Sequence, residues 1–187
     1  MRGRRAPFRR GTDSMRSVRQ GPSRRRLEIH RARRGDLPAL ATMMTASPLL
    51  RRYGGTRGGA LRALTQGIRS GDHVIVAASS DGRPVGMAWI LPSRILTGAA
   101  YLRLLLVAEG RQRAGVGAAL MAATEATARG IANHLVLLAT TDNAGGRRFY
   151  ARLGYRYVGR LPDFARPGLD EALYWKALRP HDRRLPV

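Results

Sequence analysis

The sequence predicts a mixed α/β (α+β) domain built on a mostly antiparallel, twisted sheet of about seven strands with about four helices around it. Two pairs of strand patterns separated by turn residues, within 73–91 and 155–178, predict antiparallel hairpins. Between them, one strand–helix–strand run over 99–140 predicts a crossover that makes two strands parallel neighbours. A chain of 187 residues, 44% of them hydrophobic, is large enough to bury one core of this kind.

The first half of the chain predicts three strands and two helices. In order, these are strand 27–33, helix 35–46, helix 60–69, strand 73–79 and strand 83–91. Asp36 and Pro38 are typical of a helix start, as an N-cap and a first-turn proline. Asp81-Gly82, between the last two strands, is a strong signal for a two-residue hairpin.

The second half predicts four more strands and two more helices. In order, these are strand 99–107, helix 115–129, strand 134–140, helix 143–154 and a hairpin of strands within 155–161 and 169–178. The apolar run 99–107 has the mixed period of a strand buried on both faces. Gly130 and Gly154 are placed to end the two helices.

The chain is strongly basic, with 34 Lys and Arg against 12 Asp and Glu and a net charge of +22. Residues 1–26 hold ten arginines, one acid and few apolar residues, so we expect a disordered Arg-rich arm or an over-extended start there. A domain over 27–178 and a short tail over 179–187 complete the expected organisation. Codon bias in a GC-rich genome produces such arginine enrichment without any function, whereas a functional interpretation is a polyanionic ligand or nucleic acid.

Several kinds of site are excluded or not indicated. The absence of cysteine excludes disulfides, thiolate metal sites and a cysteine nucleophile, and it is compatible with a reducing cytoplasm, the location we expect. No stretch approaches the ~18 apolar residues of a membrane span. The N-terminal arginines lack the apolar segment of a secretory signal. No His-x-x-x-His pair or acidic cluster indicates a metal.

The segment from Gln112 to Gly117, Q-R-A-G-V-G, is the strongest candidate for a binding site. It joins a strand to a helix, where backbone N–H groups converge on phosphate oxygens. Gly115 and Gly117 lack the Cβ atoms that would block close approach. A dinucleotide fingerprint needs a small residue where Leu120 stands, and a Walker loop needs a G-K-[ST] ending, so neither NAD nor ATP fits well. Two glycines before a helix also occur in α/β proteins without any ligand.

Two motifs together resemble the GNAT superfamily of N-acetyltransferases. LLLVAEGRQRAGVGAAL, residues 104–120, is similar to the family's acetyl-CoA motif, [QR]-x-x-G-x-[GA] after a long strand. TTDNAGGRRFYARLGYRYVGRLPDF, residues 140–164, is similar to its next motif. The resemblance covers about residues 27–178 and implies a GNAT-like fold in which the two parallel strands splay apart. It also implies an acetyl-CoA-dependent N-acetyltransferase that acts on a primary amine of a small molecule or protein, by direct attack in a ternary complex.

The same resemblance implies where acetyl-CoA binds. The pantetheine arm would pair with the backbone near Leu105, Leu106 and Val107, and the Val107 amide would face the thioester carbonyl. The diphosphate would lie on the amides of the following loop and helix start, at Gln112, Arg113, Ala114, Gly115, Val116, Gly117 and Ala118. Asn143 would bind the pantetheine arm, or cap the next helix, or do both.

Tyr150 is the general acid that the resemblance implies, because a phenol can protonate the departing thiolate. Its neighbour Phe149 is expected in the core. Glu109 is the predicted base, acting through water, although the family more often has proline at this position; a solvated loop acid is an equal interpretation. Other base candidates are His73, Asp72, His134 and Glu171, and His134 favours a structural role.

The resemblance implies an acceptor pocket shaped by residues 48–54, between the two early helices, and bordered on the other side by residues 164–176. Tyr53 and Trp89 are candidates to line it, although Trp89 fits a core position equally well. Asp170 and Glu171 would attract an ammonium group, or would only offset nearby arginines.

Two other functions stay open at this point. The Arg-rich arm would bind nucleic acid, with the folded domain as a scaffold, although the arm has only Phe8 for base stacking. A regulatory domain that binds CoA without catalysis is disfavoured by Tyr150. Homodimers are frequent among members of the family, so a dimer is a further expectation.

Overall fold

A computed structural model describes residues 27–92 and 98–179, and all of its strands belong to one sheet. The strands are Glu28–Arg31 (β1), His73–Ala78 (β2), Pro84–Leu91 (β3), Ala99–Val107 (β4), His134–Thr140 (β5), Arg156–Arg166 (β6) and Leu169–Ala177 (β7). Their order in the sheet is β1-β2-β3-β4-β5-β7-β6, and the β4–β5 pair is parallel while the other pairs are antiparallel. The predicted fold class and its single parallel pair are confirmed.

The described residues form five α-helices, one more than the four predicted. They are Leu37–Ala46 (α1), Pro48–Arg51 (α2), Arg57–Arg69 (α3), Val116–Arg129 (α4) and Ala144–Arg152 (α5). The additional helix, α2, is a single turn that begins at Pro48, a residue well suited to a first helical position. Helix α3 begins three residues earlier than predicted, because the hydroxyl of Thr56 accepts a hydrogen bond from the Gly59 amide and caps it.

The expected side-chain cap at Asp36 is wrong in detail. Asp36 precedes α1 but does not cap it through its side chain. Its carboxylate instead accepts a 2.7 Å hydrogen bond from the Arg33 amide and closes a short 3-10 turn at Arg34–Asp36. The Asp81-Gly82 hairpin is confirmed by the hydrogen bond from the Ser79 amide to the Arg83 carbonyl.

A hydrophobic cluster covers each face of the sheet. Helices α1 and α3 bury one face, with Leu40, Leu64 and Trp89 at the centre of that cluster. Helices α4 and α5 bury the other, with Leu120 and Tyr150 in a second cluster. Trp89 is 2% exposed and its indole donates to the Asp72 carboxylate at 2.9 Å, so it is a core residue and does not line a pocket.

The two parallel strands pair over only four residues and then part. Pairing runs from Ala99 opposite His134 to Leu102 opposite Leu137. A bulge at Arg103 then shifts the register of β4 against β3, while β5 continues beside β7 as far as Thr140. Among the described residues, the second half of β4 therefore pairs with β3 on one edge and with no strand on the other, which leaves a gap between β4 and β5 as the resemblance implied. For the same reason Arg103 is exposed, so the expectation that β4 is buried on both faces is wrong at this point.

The predicted arm over 1–26, and all but the first residue of the predicted tail over 179–187, lie outside the described residues. None of the five described helices has both the length and the apolar character that a bilayer span requires.

Candidate active site

The loop that follows β4 turns the start of α4 toward open space. Gly115 precedes the first helical residue with φ +80°, a left-handed conformation that side chains with a Cβ rarely adopt. A Cβ built on Gly115 would have no atom of the described residues within 4 Å, beyond its chain neighbours and the backbone of its own helix, so the space beside this residue is open. At Gly117, a Cβ would approach the Phe149 ring at 3.4 Å. The first glycine therefore provides the turn, and the second allows α4 and α5 to pack closely.

The start of α4 has the features of an anion site. Gly115 has no side chain to cap the helix, and no side chain of the described residues accepts a hydrogen bond from the first-turn amides of Val116, Gly117 and Ala118. These amides and the helix dipole favour a negative group here. Arg113 is exposed in the same loop and adds positive charge.

The gap beside β4 begins where this loop leaves the sheet. Leu105, Leu106 and Val107 are paired with β3 on one edge only. Their backbone groups on the other edge face the gap, where β5 is no longer a partner. Such unpaired groups are available to a ligand that carries amides of its own. The structure thus brings the gap and the start of α4 together.

Tyr150 lies at this gap from the α5 side. It is 8% exposed and packs edge-on against Phe149 and Tyr155, with ring centroids 5.4 Å and 5.8 Å away. Its hydroxyl makes no hydrogen bond with any described residue. Burial, and then the nearby phenol of Tyr101, raise the pKa of Tyr150, so it stays protonated at neutral pH. Phe149 packs against the core cluster of that face, as expected.

Asn143 begins α5. Its side-chain oxygen accepts a hydrogen bond from the Gly146 amide at 2.9 Å, so the capping role is confirmed. The role in binding the pantetheine arm stays a prediction.

The predicted base, Glu109, lies on an exposed turn after β4. No contact within the described ranges connects its carboxylate with Tyr150 or the gap. His134 stacks on Trp175 with ring centroids 5.3 Å apart, consistent with a structural role. Burial and then Arg31 lower the pKa of His73, at the start of β2.

Glu171 is the candidate base that the structure does bring to the gap. It lies on β7 opposite Thr140, just beyond the point where β4 and β5 part, and it is 4% exposed. The Tyr53 hydroxyl donates a 2.9 Å hydrogen bond to its Oε1. Tyr101 on β4 lies close enough for the Glu171 charge to raise its pKa, after the larger effect of burial. The sequence named Tyr53 and Glu171 separately, but nothing in their spacing of 118 residues indicated that they touch.

The segment between α2 and α3 is held across this site by three contacts. Tyr53 binds Glu171, the Arg52 guanidinium pairs with the Asp142 carboxylate at 2.6 Å, and Arg166 of β6 donates to the Arg52 carbonyl. The contacts connect the early helices to β7, to the start of α5 and to the last hairpin. They place the segment where the acceptor pocket was expected.

Burial raises the pKa of Glu171, while the Tyr53 hydrogen bond lowers it and the Asp142 charge raises it again. Burial, followed by the hydrogen bond to Glu171, raises the pKa of Tyr53 to about 12. Glu171 is therefore a carboxylate that binds a proton more readily than an ordinary surface acid. Within 27–92 and 98–179, no group of three or more His, Asp or Glu residues is arranged to hold a metal ion.

Comparison with known proteins gives a family and a fold. The sequence matches the acetyltransferase (GNAT) family model over residues 48–155. An N-acetyltransferase from Staphylococcus aureus Mu50 is 16% identical, with a TM-score of 0.71 over 82% of this chain and 99% of that one. A ribosomal-protein-alanine N-acetyltransferase from Brucella melitensis is 23% identical, with a TM-score of 0.66 over 80% and 99%.

A third similar structure contains a coenzyme. The yncA protein of Salmonella typhimurium, solved with its cofactor acetyl-CoA, is 18% identical, with a TM-score of 0.69 over 87% of this chain and 99% of that one. At these sequence identities, the similarity to the three solved structures shows a shared fold. A comparison with curated protein sequences gave no match.

Replacing Glu171 with Gln should stabilise the protein at neutral pH. Because the folded state raises the pKa of this acid above its ordinary 4.5, ionisation destabilises the fold as the pH rises above that value. The variant keeps an oxygen for the Tyr53 hydroxyl but has no charge to bury. Urea denaturation should give a larger unfolding free energy for the variant at pH 7.5, and a difference that shrinks toward pH 4.

The neighbouring Asp170→Asn variant is the control, because its unfolding free energy at pH 7.5 should fall rather than rise. The Asp163 amide and then Arg160 lower the pKa of Asp170, so its charge stabilises the fold at neutral pH and that contribution is lost as the pH falls. Loss of stability in Glu171→Gln at pH 7.5 would contradict the assignment of Glu171 as a destabilising buried acid.

Proposed function

The match over residues 48–155 spans more than half of the chain, so the chain belongs to the acetyltransferase (GNAT) family, and on this premise we propose that it is an acetyl-CoA-dependent N-acetyltransferase. It transfers an acetyl group to a primary amine of a small molecule or protein, by direct attack in a ternary complex. The observation that carries this proposal is the opening between β4 and β5 beside an uncapped helix start. The acetyl-CoA in the Salmonella typhimurium structure supports it.

The coenzyme's two chemical halves fit these two features. A diphosphate needs several converging N–H donors, which the amides from Gln112 to Ala118 supply. The pantetheine arm carries two amides, which pair with the free edge of Leu105, Leu106 and Val107 as a short extra strand. The phosphates of CoA carry about four negative charges, and the arginines around the loop favour them electrostatically.

Transfer from a thioester to an amine has three requirements. The amine must be neutral, the oxyanion of the tetrahedral intermediate needs a donor, and the departing thiolate needs a proton. The Val107 amide is the proposed oxyanion donor. Tyr150 is the proposed acid. Its buried phenol keeps its proton until the C–S bond breaks, and the low-polarity surroundings also raise the pKa of the departing thiol, so the thiolate takes the proton more readily. Glu109 stays a prediction for the base, through water.

Replacing Ala118 with Glu should weaken acetyl-CoA binding without harming the fold. Ala118 is exposed in the first turn of α4, where an acid is favourable for the helix but repels a bound diphosphate. Isothermal titration calorimetry should show affinity about 10- to 100-fold lower than in the wild type. Ala126→Glu, exposed two turns further along the same helix, is the matched control and should bind normally. Equal affinity in all three proteins, or no binding by the wild type at tens of micromolar, would reject the proposed coenzyme site.

Replacing Tyr150 with Phe should lower turnover by about 100-fold or more while acetyl-CoA affinity barely changes, because only the proton donor is lost. Steady-state kinetics with a free-thiol readout and calorimetry measure the two quantities. Tyr155→Phe is the control, since that ring packs against Tyr150 but its hydroxyl is buried near Glu125 of α4. Unchanged turnover in Tyr150→Phe would show that water protonates the thiolate. A wild type that binds acetyl-CoA but acetylates no amine would instead favour the regulatory domain.

A further inference from the structure

Glu171 is a buried carboxylate without a cation in a strongly basic protein. It is 4% exposed, and in the described ranges no Lys or Arg nitrogen lies within 4 Å of it, although the chain carries a net charge of +22. Neighbouring acids do have such partners: Asp142 pairs with Arg52, and Asp170 pairs with Arg160. A buried charge is costly unless it is paired, so this position is built to receive a positive charge from elsewhere.

The groups around Glu171 match the hydrogen-bonding needs of an ammonium group. An ammonium has three donors and no acceptor. Glu171 offers a carboxylate, and Tyr53 offers the phenol oxygen that already bonds to it at 2.9 Å. Thr140, directly across the strand pair, has a buried hydroxyl without a hydrogen bond in the described structure, apart from an interaction with the Asp142 carboxylate. The Tyr53 hydroxyl thus contacts the Glu171 carboxylate, and Thr140 is the cross-strand partner of Glu171.

Two arginines contact the neighbours of Glu171: Arg166 through the segment that holds Tyr53, and Arg103 through Tyr101. Arg166 donates to the Arg52 carbonyl, one residue from Tyr53, and Arg103 stacks over the Trp89 ring at 4.6 Å. Neither guanidinium has a carboxylate within 4 Å among the residues described, and both residues are exposed. Arg103 is also near enough to lower the pKa of Tyr101. A second positive charge on the acceptor would be repelled here, whereas an anionic group would be attracted.

We propose that Glu171, with Tyr53 and Thr140, binds the acceptor's ammonium group, and that the acceptor is a compact zwitterion: one ammonium plus a carboxylate or phosphate that faces Arg103 and Arg166. This inference rests on the proposed function and names its substrate class. It disfavours polyamines and aminoglycosides, which carry several positive charges.

The reaction that follows is balanced in protons and bonds. In this binding mode Glu171 acts as the base in place of Glu109: it takes one proton from the bound ammonium and leaves a neutral amine, whose lone pair forms a bond to the thioester carbonyl carbon. The intermediate collapses with loss of the C–S bond, and Tyr150 gives its proton to the sulfur. The nitrogen of the intermediate still carries two protons. Loss of one of them to the tyrosinate restores the Tyr150 phenol. The products are the N-acetyl compound and CoA, and the proton on Glu171 passes to solvent.

The substrate class is tested with amines that differ only in the group at the far end. Straight-chain ω-amino acids of two to six carbons, together with α-amino acids, are compared with alkylamines and diamines of the same length. The chain has no cysteine, so a thiol reagent reports released CoA without background from the protein. At the best length, kcat/KM should be about tenfold or more higher for the amino acid than for the alkylamine, and lowest for the diamine. Diamines equal to or better than amino acids would overturn the inference.

The residue assignment is tested with the best amine from that panel. Glu171→Gln should raise its KM about 10- to 100-fold, because a charge-assisted bond is lost, should lower kcat because the proton acceptor is lost, and should leave the KM for acetyl-CoA unchanged. Arg166→Met should raise KM for the amino acid but not for the alkylamine. Glu28→Gln, at an exposed acid on the edge strand β1, also removes one carboxylate and should behave as the wild type. Normal amine KM in Glu171→Gln would overturn the assignment.

Failure of the inference and failure of the proposed function give different results. If acetyl-CoA binds the wild type but no amino acid is acetylated, the substrate class is wrong and the coenzyme site stands. If acetyl-CoA does not bind, the proposed function itself is wrong. A Glu171→Gln variant that is more stable but binds the amine more weakly shows a binding role for Glu171. If the role were structural, the variant would be less stable and would also bind the amine more weakly.

Discussion

The point at which β4 and β5 stop pairing determines the rest of the structure. Leu102 and Leu137 are the last partners, and beyond them a bulge at Arg103 carries β4 away while β5 stays with β7. A parallel pair that ends in the middle of a sheet leaves backbone donors and acceptors without partners. Helices on both faces hold the sheet together on either side of this point, with one core cluster beneath each pair of helices. The gap is therefore a place where a ligand's own amides could complete the sheet.

Each side of the gap has its own chemistry. On the side of α4 and α5 lie the uncapped helix start, with its free amides, and the buried phenol of Tyr150. On the side of α1 and α3 lie the Glu171 carboxylate and the segment that Tyr53 and Arg52 hold across it. Positive charge dominates the first side, which suits phosphates, while the second combines one buried negative charge with the exposed Arg103 and Arg166. Two ligands approaching from opposite faces would meet between the parted strands.

The sequence predicted what depends on local pattern. The strand, glycine loop and helix over 99–129, the Asp81-Gly82 hairpin and the start of α5 at Asn143 are encoded by neighbouring residues, and the structure agrees. Helix α3 begins before the expected residue because Gly58 and Gly59 resemble a helix break, and the Thr56 cap outweighs them. The contact of Tyr53 with Glu171 joins two distant parts of the chain, and no spacing rule could predict it. Trp89 stayed ambiguous in sequence because an alternating strand supplies both core and pocket residues.

The account's central claim is that a coenzyme enters between the parted strands, and hydrogen–deuterium exchange tests it most directly. Addition of CoA should slow exchange of the backbone amides over 104–107 and 112–118. The pantetheine amides of the coenzyme would cover the first segment, and its diphosphate would cover the second. The last turn of α4, residues 126–129, lies at the opposite end of that helix from the loop and should exchange as before. Protection of 112–118 without any change over 104–107, or no protection in either segment at saturating CoA, would contradict the account.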